Sequence, residues 1–292
     1  MEDQLYKQLY QLVMQLASVW GKRPHVQFTD AWILLVFLWA ALHDRPRCWA
    51  CEPRNWPTSL LADRPLPSPG CLCQRMRQMS LQLFFDAVMT QAREQLPNHL
   101  IKCIDGKPLI VGGFSKDRDA KRGYAVGGKA KGYKLFAIYD GAAIDAWRIG
   151  SMNQSEPVVA RKLLTHLPHP QAHGYLLGDS QYDSNQLHAI TTELGMQLVT
   201  RRKKPRTPVG HRNQQTSRLR SIELVEGDGV FGRELYACRE SIEQRFGQAG
   251  NLGCGLGPLP NWVRRPRRVA MWIAAKQLIL TCWNIQKQRL TA

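Results

Sequence analysis

Acidic side chains are scarce in this 292-residue chain: 23 Asp and Glu stand against 40 Lys and Arg, giving a formal charge of +17 and a pI near 9.8. A field of that sign attracts a polyanion and is a poor match for a small acidic substrate. Nucleic acid is the partner it fits. Long apolar runs are also missing. The longest, AWILLVFLWAAL from Ala31 to Leu42, lies between Asp30 and His43, is too short to span a bilayer and reads as a buried helix. The first residues are polar and acidic, without the character of a secretory signal, so a cytoplasmic location is expected.

Metal-binding motifs of the thiolate or imidazole kind are thin. Cys48 and Cys51 followed by Cys71 and Cys73 have some zinc-ribbon character, but the second pair is tighter than a C-x-x-C knuckle. The four read as ordinary reduced cysteines in a helical domain. The eight histidines are scattered, with no nucleophile motif to join.

What remains is a chain with 44% hydrophobic residues, which excludes general disorder, and a length that suits one large catalytic domain with an appendage. Residues 1–96 read as an all-helical N-terminal domain suited to DNA binding. Ser68-Pro69 opens a helix there, and Arg75 and Arg77 sit at a spacing that suits a short recognition helix, or simply a structural helical cap. From 97 to 292 the texture changes to α/β. KCIDGKPLIVGG reads as strand, turn and strand. GYKLFAIYDG and AAIDAWRIGSM read as two strands meeting near Asp140-Gly141. A helix from Glu156, a strand at GYLLGD, a helix capped by Asp183-Ser184 and a strand at MQLVTRR follow, then a basic insert at about 203–233 and a C-terminal helix over 269–288. The order predicts an RNase H-like mixed sheet flanked by helices, whose strand ends carry the ligands.

Three of the few acids stand out. Asp105 and Asp179 sit beside apolar runs that read as buried strands, and Glu243 lies on a segment with helical spacing. Carboxylates far apart in sequence that converge on strand ends and a facing helix are hard oxygen ligands, suited to Mg²⁺, with Mn²⁺ as a substitute. Two such ions can activate an attacking oxygen and stabilise the leaving oxygen of a phosphodiester. Singly, each acid has a plainer reading: Asp105-Gly106 as a turn, Asp179-Ser180 as a cap, Arg239 and Glu243 as a solvated helix pair. Asp183 competes as a ligand but reads as a helix cap. Asp117 and Asp119 read as loop residues paired with basic neighbours. Basic clusters at Arg201, Arg202, Lys203 and Lys204, at 211–220, and at Arg264 and Arg265 flank the acids and suit a DNA backbone.

The stretch Tyr236-Ala-Cys-Arg239-Glu-Ser-Ile-Glu243 resembles the Tyr-x₂-Arg-x₃-Glu signature of bacterial insertion-sequence transposases of the DDE class. By order of elements the resemblance covers roughly residues 100 to 290, with Asp105 and Asp179 similar to the family's first and second aspartates. It implies a Mg²⁺-dependent enzyme that cuts and joins DNA at the terminal inverted repeats of its element. Asp105, Asp179 and Glu243 would be catalytic and metal-holding, with Tyr236 and Arg239 on the DNA phosphates and a homodimer in the synaptic complex. It also implies a bacterial protein found with the nucleoid when DNA-bound. Spacings of four and seven would place Tyr236, Arg239 and Glu243 on one helix face. The chain departs from the signature in one place: the lysine expected seven residues beyond the glutamate is Gly250. Arg245 and the 264–268 arginines are candidates to replace it. Two alternatives stay open, an inactive or repurposed transposase that only binds DNA, and an RNase H-like nuclease without transfer activity.

Overall fold

The computed structural model describes residues 2–21, 26–125, 127–167, 174–210, 214–251 and 255–291; the side chains at 241, 245, 248–251 and 291 lie outside the description. The chain forms two compact units: Met1–Pro97 with Ala249–Leu256 and Met271–Ala292, and Asn98–Gln248 with Gly257–Ala270.

The first unit is helical. It holds α1 (Glu2–Val19), α2 (Asp30–Leu42), the single turn α3 (Thr58–Leu61), α4 (Pro69–Arg75) and α5 (Met79–Glu94). Every residue of α2 is buried, as its unbroken apolar run from Ala31 requires, and Thr29 caps it by accepting from the Trp32 amide at 3.2 Å. Trp39 stacks on Trp56 with centroids 4.9 Å apart, and Tyr6 meets both rings edge-on. Ser68 caps α4 as expected. Arg75, however, does not present itself to a ligand: it is buried, bonded to Asp30 Oδ1 at 2.6 Å and to the Phe28 carbonyl at 2.7 Å. It is a structural clasp between α4 and the start of α2.

The second unit is built on a mixed six-stranded sheet. Strands β1 (Ile101–Ile110), β2 (Lys121–Ala125), β3 (Gly128–Tyr139), β4 (Ile144–Ser151), β5 (Gly174–Gly178) and β6 (Met196–Thr200) lie in the order β2-β3-β1-β5-β6, with β4 also on β3. β1, β3 and β4 are antiparallel neighbours; β5 and β6 run parallel to β1. This is the RNase H-like arrangement. Helices α6 (Glu156–Leu164) and α7 (Asn185–Glu193) cover a core of Ile104, Phe136, Ile138, Leu176 and Leu198. The β3–β4 turn forms where Asp140-Gly141 predicts it: Gly141 has φ +90°, and Asp140 Oδ1 accepts from the amides of Ala142 and Ala143 at 3.0 Å each.

Three local expectations change. KCIDGKPLIV is one continuous strand, with Pro108 opposite Lys134, and the sheet gains β2, a strand the sequence reading did not include. β5 stops opposite Cys103, so β1 at Pro108 has an open side where a residue lacking N–H is tolerated. The segment 203–233 is not one long loop: it contains α8 (Thr216–Glu226) and the start of α9 (Val230–Ala237). α10 (Glu240–Asn251) and α11 (Pro266–Thr291) complete the chain. Among the described residues no helix is long and apolar enough to cross a membrane.

Candidate active site

β1 and β5 pair in parallel with Cys103 opposite Leu177, and Asp105 and Asp179 each lie two residues further on. The two aspartates therefore stand at the same level, Asp105 midway along β1 and paired with Ala137 of β3, Asp179 just past the end of β5. Asp105 Oδ1 accepts from the Gly106 amide and Asp179 Oδ1 from the Gln181 amide, both at 2.7 Å. The second bond caps the short 3₁₀ turn Ser180–Tyr182. Burial pushes Asp105 up to about 6, and the charges of Glu156 and Asp179 add to that rise against opposition from the Gly106 amide and Arg239. Burial raises Asp179 as well, Glu156 again adding and Arg239 opposing. Both carboxylates are thus short of positive charge.

Glu156, the first residue of α6, is the acid that the sequence did not single out. A glutamate after Ser155 and before Pro157 reads as an ordinary helix start, and nothing local distinguishes it. In space its Oε1 accepts from Lys134 Nζ on β3 at 2.8 Å. Gly106 makes room for this pair: a Cβ there would lie 2.9 Å from Lys134 Cδ and 3.3 Å from Glu156 Oε1.

Tyr236, Arg239 and Glu243 do not share one helix. Tyr236 is near the end of α9, Arg239 falls in the turn that follows, and Glu243 is in the first turn of α10. The Tyr236 hydroxyl donates to the Gly178 carbonyl at 3.2 Å, next to Asp179, and the Arg201 guanidinium lies 5.2 Å from its ring centroid. Arg239 Nη2 stands 3.6 Å from Glu243 Oε1 while bearing electrostatically on both aspartates. It sits between the aspartate pair and the glutamate. Glu243 itself has a side chain 66% exposed. Among the described residues no group of three or more His, Cys, Asp or Glu is gathered as ligands of one ion, so the structure brings Asp105 and Asp179 together and leaves Glu243 on Arg239. The donors that do converge are desolvated carboxylate oxygens without a full complement of cations, which is the chemistry a hard divalent ion takes.

The basic residues divide. Lys203 and Lys204 are exposed. Arg202 is committed within the protein: to Glu226 at 2.6 and 2.5 Å, and to the carbonyls of Pro205 and Thr207 at 2.9 Å. Arg264 donates to the carbonyls of Leu259, Pro260 and Val263 and to Ser115 Oγ. Arg265 pairs with Asp119 at 3.2 Å, and its amide donates to Asp117 at 2.9 Å. The Arg245 side chain lies outside the description, and Gly250 falls on α10. Asp183 does not cap α7, a role that Ser184 fills; instead it binds Arg218 at 2.6 and 2.8 Å.

Sheet order and paired acids define the class first: an RNase H-like α/β protein with one carboxylate inside β1, rather than at a strand end as expected, and another just past the end of the neighbouring β5. The family follows from the sequence as a whole. A model of the transposase DDE domain matches residues 96–282, well over half of the chain, and the chain belongs to that family of DDE-class transposases. No curated protein matches the sequence. Among solved structures, the cryo-EM structure of a piggyBac transposase synaptic complex with hairpin DNA is similar at 10% identity, over 99% of this chain and 73% of that one, with a TM-score of 0.48. A likeness so loose transfers no residue roles.

Proposed function

We propose that the protein is an active transposase that cuts its element's DNA at the terminal inverted repeats and joins the freed ends to target DNA, in the cut-and-paste manner of a bacterial insertion sequence. The observation that carries this reading is the placement of Asp105, midway along β1, level with Asp179, just past the end of the neighbouring β5, with burial raising both carboxyls from the ordinary value. Buried acids that repel phosphate serve no purpose in a protein that only grips DNA.

In this reading Asp105 and Asp179 hold the metal, and Glu243 joins them when DNA phosphate takes Arg239 away. Mg²⁺ or Mn²⁺, when bound, supplies activation of the attacking oxygen and neutralisation of charge at the leaving one. The chain's own residues supply the rest. Arg239 can clamp a phosphate with two N–H groups, as a lysine cannot. Tyr236 and Arg201 form a stacked edge beside Asp179 that meets the backbone next to the scissile bond. Lys203 and Lys204 extend the positive surface along the same loop. The helical N-terminal region, residues 1–96, recognises element ends, and the catalytic region follows from 97 to 292. Two copies meet in the synaptic complex, inside the bacterial cytoplasm.

The test is cleavage of DNA bearing the element's ends. Asp105→Asn, Asp179→Asn and Glu243→Gln should each abolish Mg²⁺-dependent cleavage while end binding persists. Full cleavage by one of these variants removes that residue from the site. A wild-type protein that binds ends tightly yet cuts nothing with either metal is a repurposed binder.

A further inference from the structure

The hairpin of β2 and β3, with the turn that precedes it, carries side chains that the fold does not need. Residues 114–131 hold six cations, Lys116, Arg118, Lys121, Arg122, Lys129 and Lys131, against two acids. Both acids are engaged elsewhere: Asp117 accepts from the Tyr133 hydroxyl at 2.7 Å and the Arg265 amide at 2.9 Å, and Asp119 pairs with Arg265. The hairpin is also two-faced. Arg122 lies opposite Lys131 and Tyr124 opposite Lys129, so three cations surround one ring on a single face, while Gly123, Ala125, Gly128, Ala130 and Gly132 make the other face small. The small face is the packed one: a Cβ on Gly123 would lie 2.4 Å from the Met152 carbonyl oxygen. On the cationic face Tyr124 is 74% exposed, with Lys129 Nζ 5.7 Å from its ring centroid. Phe114 is fully exposed although its turn is pinned, Ser115 donating its amide to the Gly112 carbonyl at 2.8 Å, its hydroxyl accepting from Arg264 and its carbonyl from Lys131. Charges on an edge strand guard it against pairing with another chain. Exposed rings do not serve that end, because they leave apolar surface in water.

Direction and reach follow from the sheet. β1 runs parallel to β5, so the chain beyond Asp105, and the hairpin continuous with it, extend past the end of β5 where Asp179 stands. Ala137 of β3 is level with Asp105, and Gly128 at the start of β3 is nine residues from it, about 30 Å of strand. One turn of B-DNA is about the same length. We propose that the β2–β3 hairpin and the Phe114 turn form an arm that grips the duplex lying across Asp105 and Asp179, roughly one helical turn from the scissile phosphate, with its cations on the backbone and its rings against the groove. The inference rests on the reading above that the two aspartates act on a DNA phosphodiester. Duplex DNA is the partner that matches both halves of the surface: phosphates meet Lys116, Arg118, Arg122 and Lys129, and sugar and base faces take the rings.

Binding of the full chain to a labelled duplex carrying the element's end, measured against salt, and hydroxyl-radical footprinting of the same duplex test this. Wild type should protect the backbone at the cleavage position and again about ten base pairs away. The double variant Arg122→Ala/Lys129→Ala should lower the slope of log K against log salt by about two and lose only the second protection. Phe114→Ala should weaken binding about fivefold or more with the slope unchanged, since a ring makes contact without releasing counterions. A wild-type footprint confined to the cleavage position, or a double variant that keeps both the slope and the second protection, overturns the arm even where cleavage proceeds. Unchanged affinity in Phe114→Ala removes that ring from it. If both protections are present and depend on the arm while wild type cuts nothing with Mg²⁺ or Mn²⁺, the arm stands and the catalytic reading fails. Should the double variant unfold earlier in urea than wild type, Arg122→Gln/Lys129→Gln decides by the same two measurements.

Discussion

His188 makes the folded chain sensitive to mild acid, by an amount that can be worked out. The imidazole lies on α7, fully buried, and neither ring nitrogen has a hydrogen-bond partner. Burial lowers its pKa from 6.5 to about 4; Asp183, 3.9 Å away, pulls in the opposite direction, but Arg218 holds that carboxylate in two hydrogen bonds. The folded value is the depressed one for a base, so the unfolded chain takes up a proton first as pH falls. The stability tied to neutral His188 is complete above pH 6.5, drains away between 6.5 and about 4, and amounts to roughly 3 kcal/mol in all. At pH 5 about 2 kcal/mol of it is already gone. His188→Leu keeps an apolar side chain in a pocket that offers the ring no bonds, so the variant should lack this share of acid sensitivity. Urea unfolding of both proteins at pH 7 and pH 5, followed by circular dichroism, reads the difference directly. A gap between wild type and His188→Leu that stays constant between those pH values refutes the reasoning, as does an imidazole NMR resonance that titrates near 6.5.

Other perturbations separate structural cations from those that face a ligand. Lys102→Met breaks its ion pair with Asp145, in which both side chains are buried and 2.5 Å apart, and should cost about 3–5 kcal/mol in denaturant unfolding; a loss under about 1 kcal/mol would show that the pair is dispensable. Lys203→Ala and Lys204→Ala should each lower the slope of log K against log salt for DNA binding by about one. Arg202→Ala should leave that slope nearly unchanged and instead speed proteolysis within 203–209, because Arg202 ties that loop to Glu226. A reduced slope with an intact loop would place Arg202 on the DNA.

The parts of the fold that were legible in the sequence are those fixed by neighbours along the chain. α2 announces itself by an unbroken apolar run, α4 by Ser68-Pro69, and the β3–β4 turn by Asp140-Gly141, each a matter of a few consecutive residues. Elements held from a distance were not legible. α8 has no side-chain N-cap and is secured by Ser221, whose hydroxyl accepts from the Thr200 amide at 2.9 Å and donates to its carbonyl. β1 survives Pro108 only because its other neighbour has already ended. At the site the two aspartates could be picked out because each follows a run of buried residues, inside β1 for Asp105 and at the end of β5 for Asp179. Glu156 could not, because its meaning comes from Gly106 and Lys134, 50 and 22 residues earlier in the chain.

The turn at Cys238 and Arg239 divides the signature between two rods of different standing. The rod that ends near Tyr236 is bolted to the sheet through the Gly178 carbonyl and the buried Leu235. The rod that carries Glu243 starts afresh beyond a joint. A spacing of four and seven residues, which looks in one dimension like a rigid ruler, is in three dimensions two posts joined by a turn, the second anchored by the buried Ile242 and Phe246. Lengthening that turn will shift Glu243 relative to Tyr236 without disturbing what holds either helix.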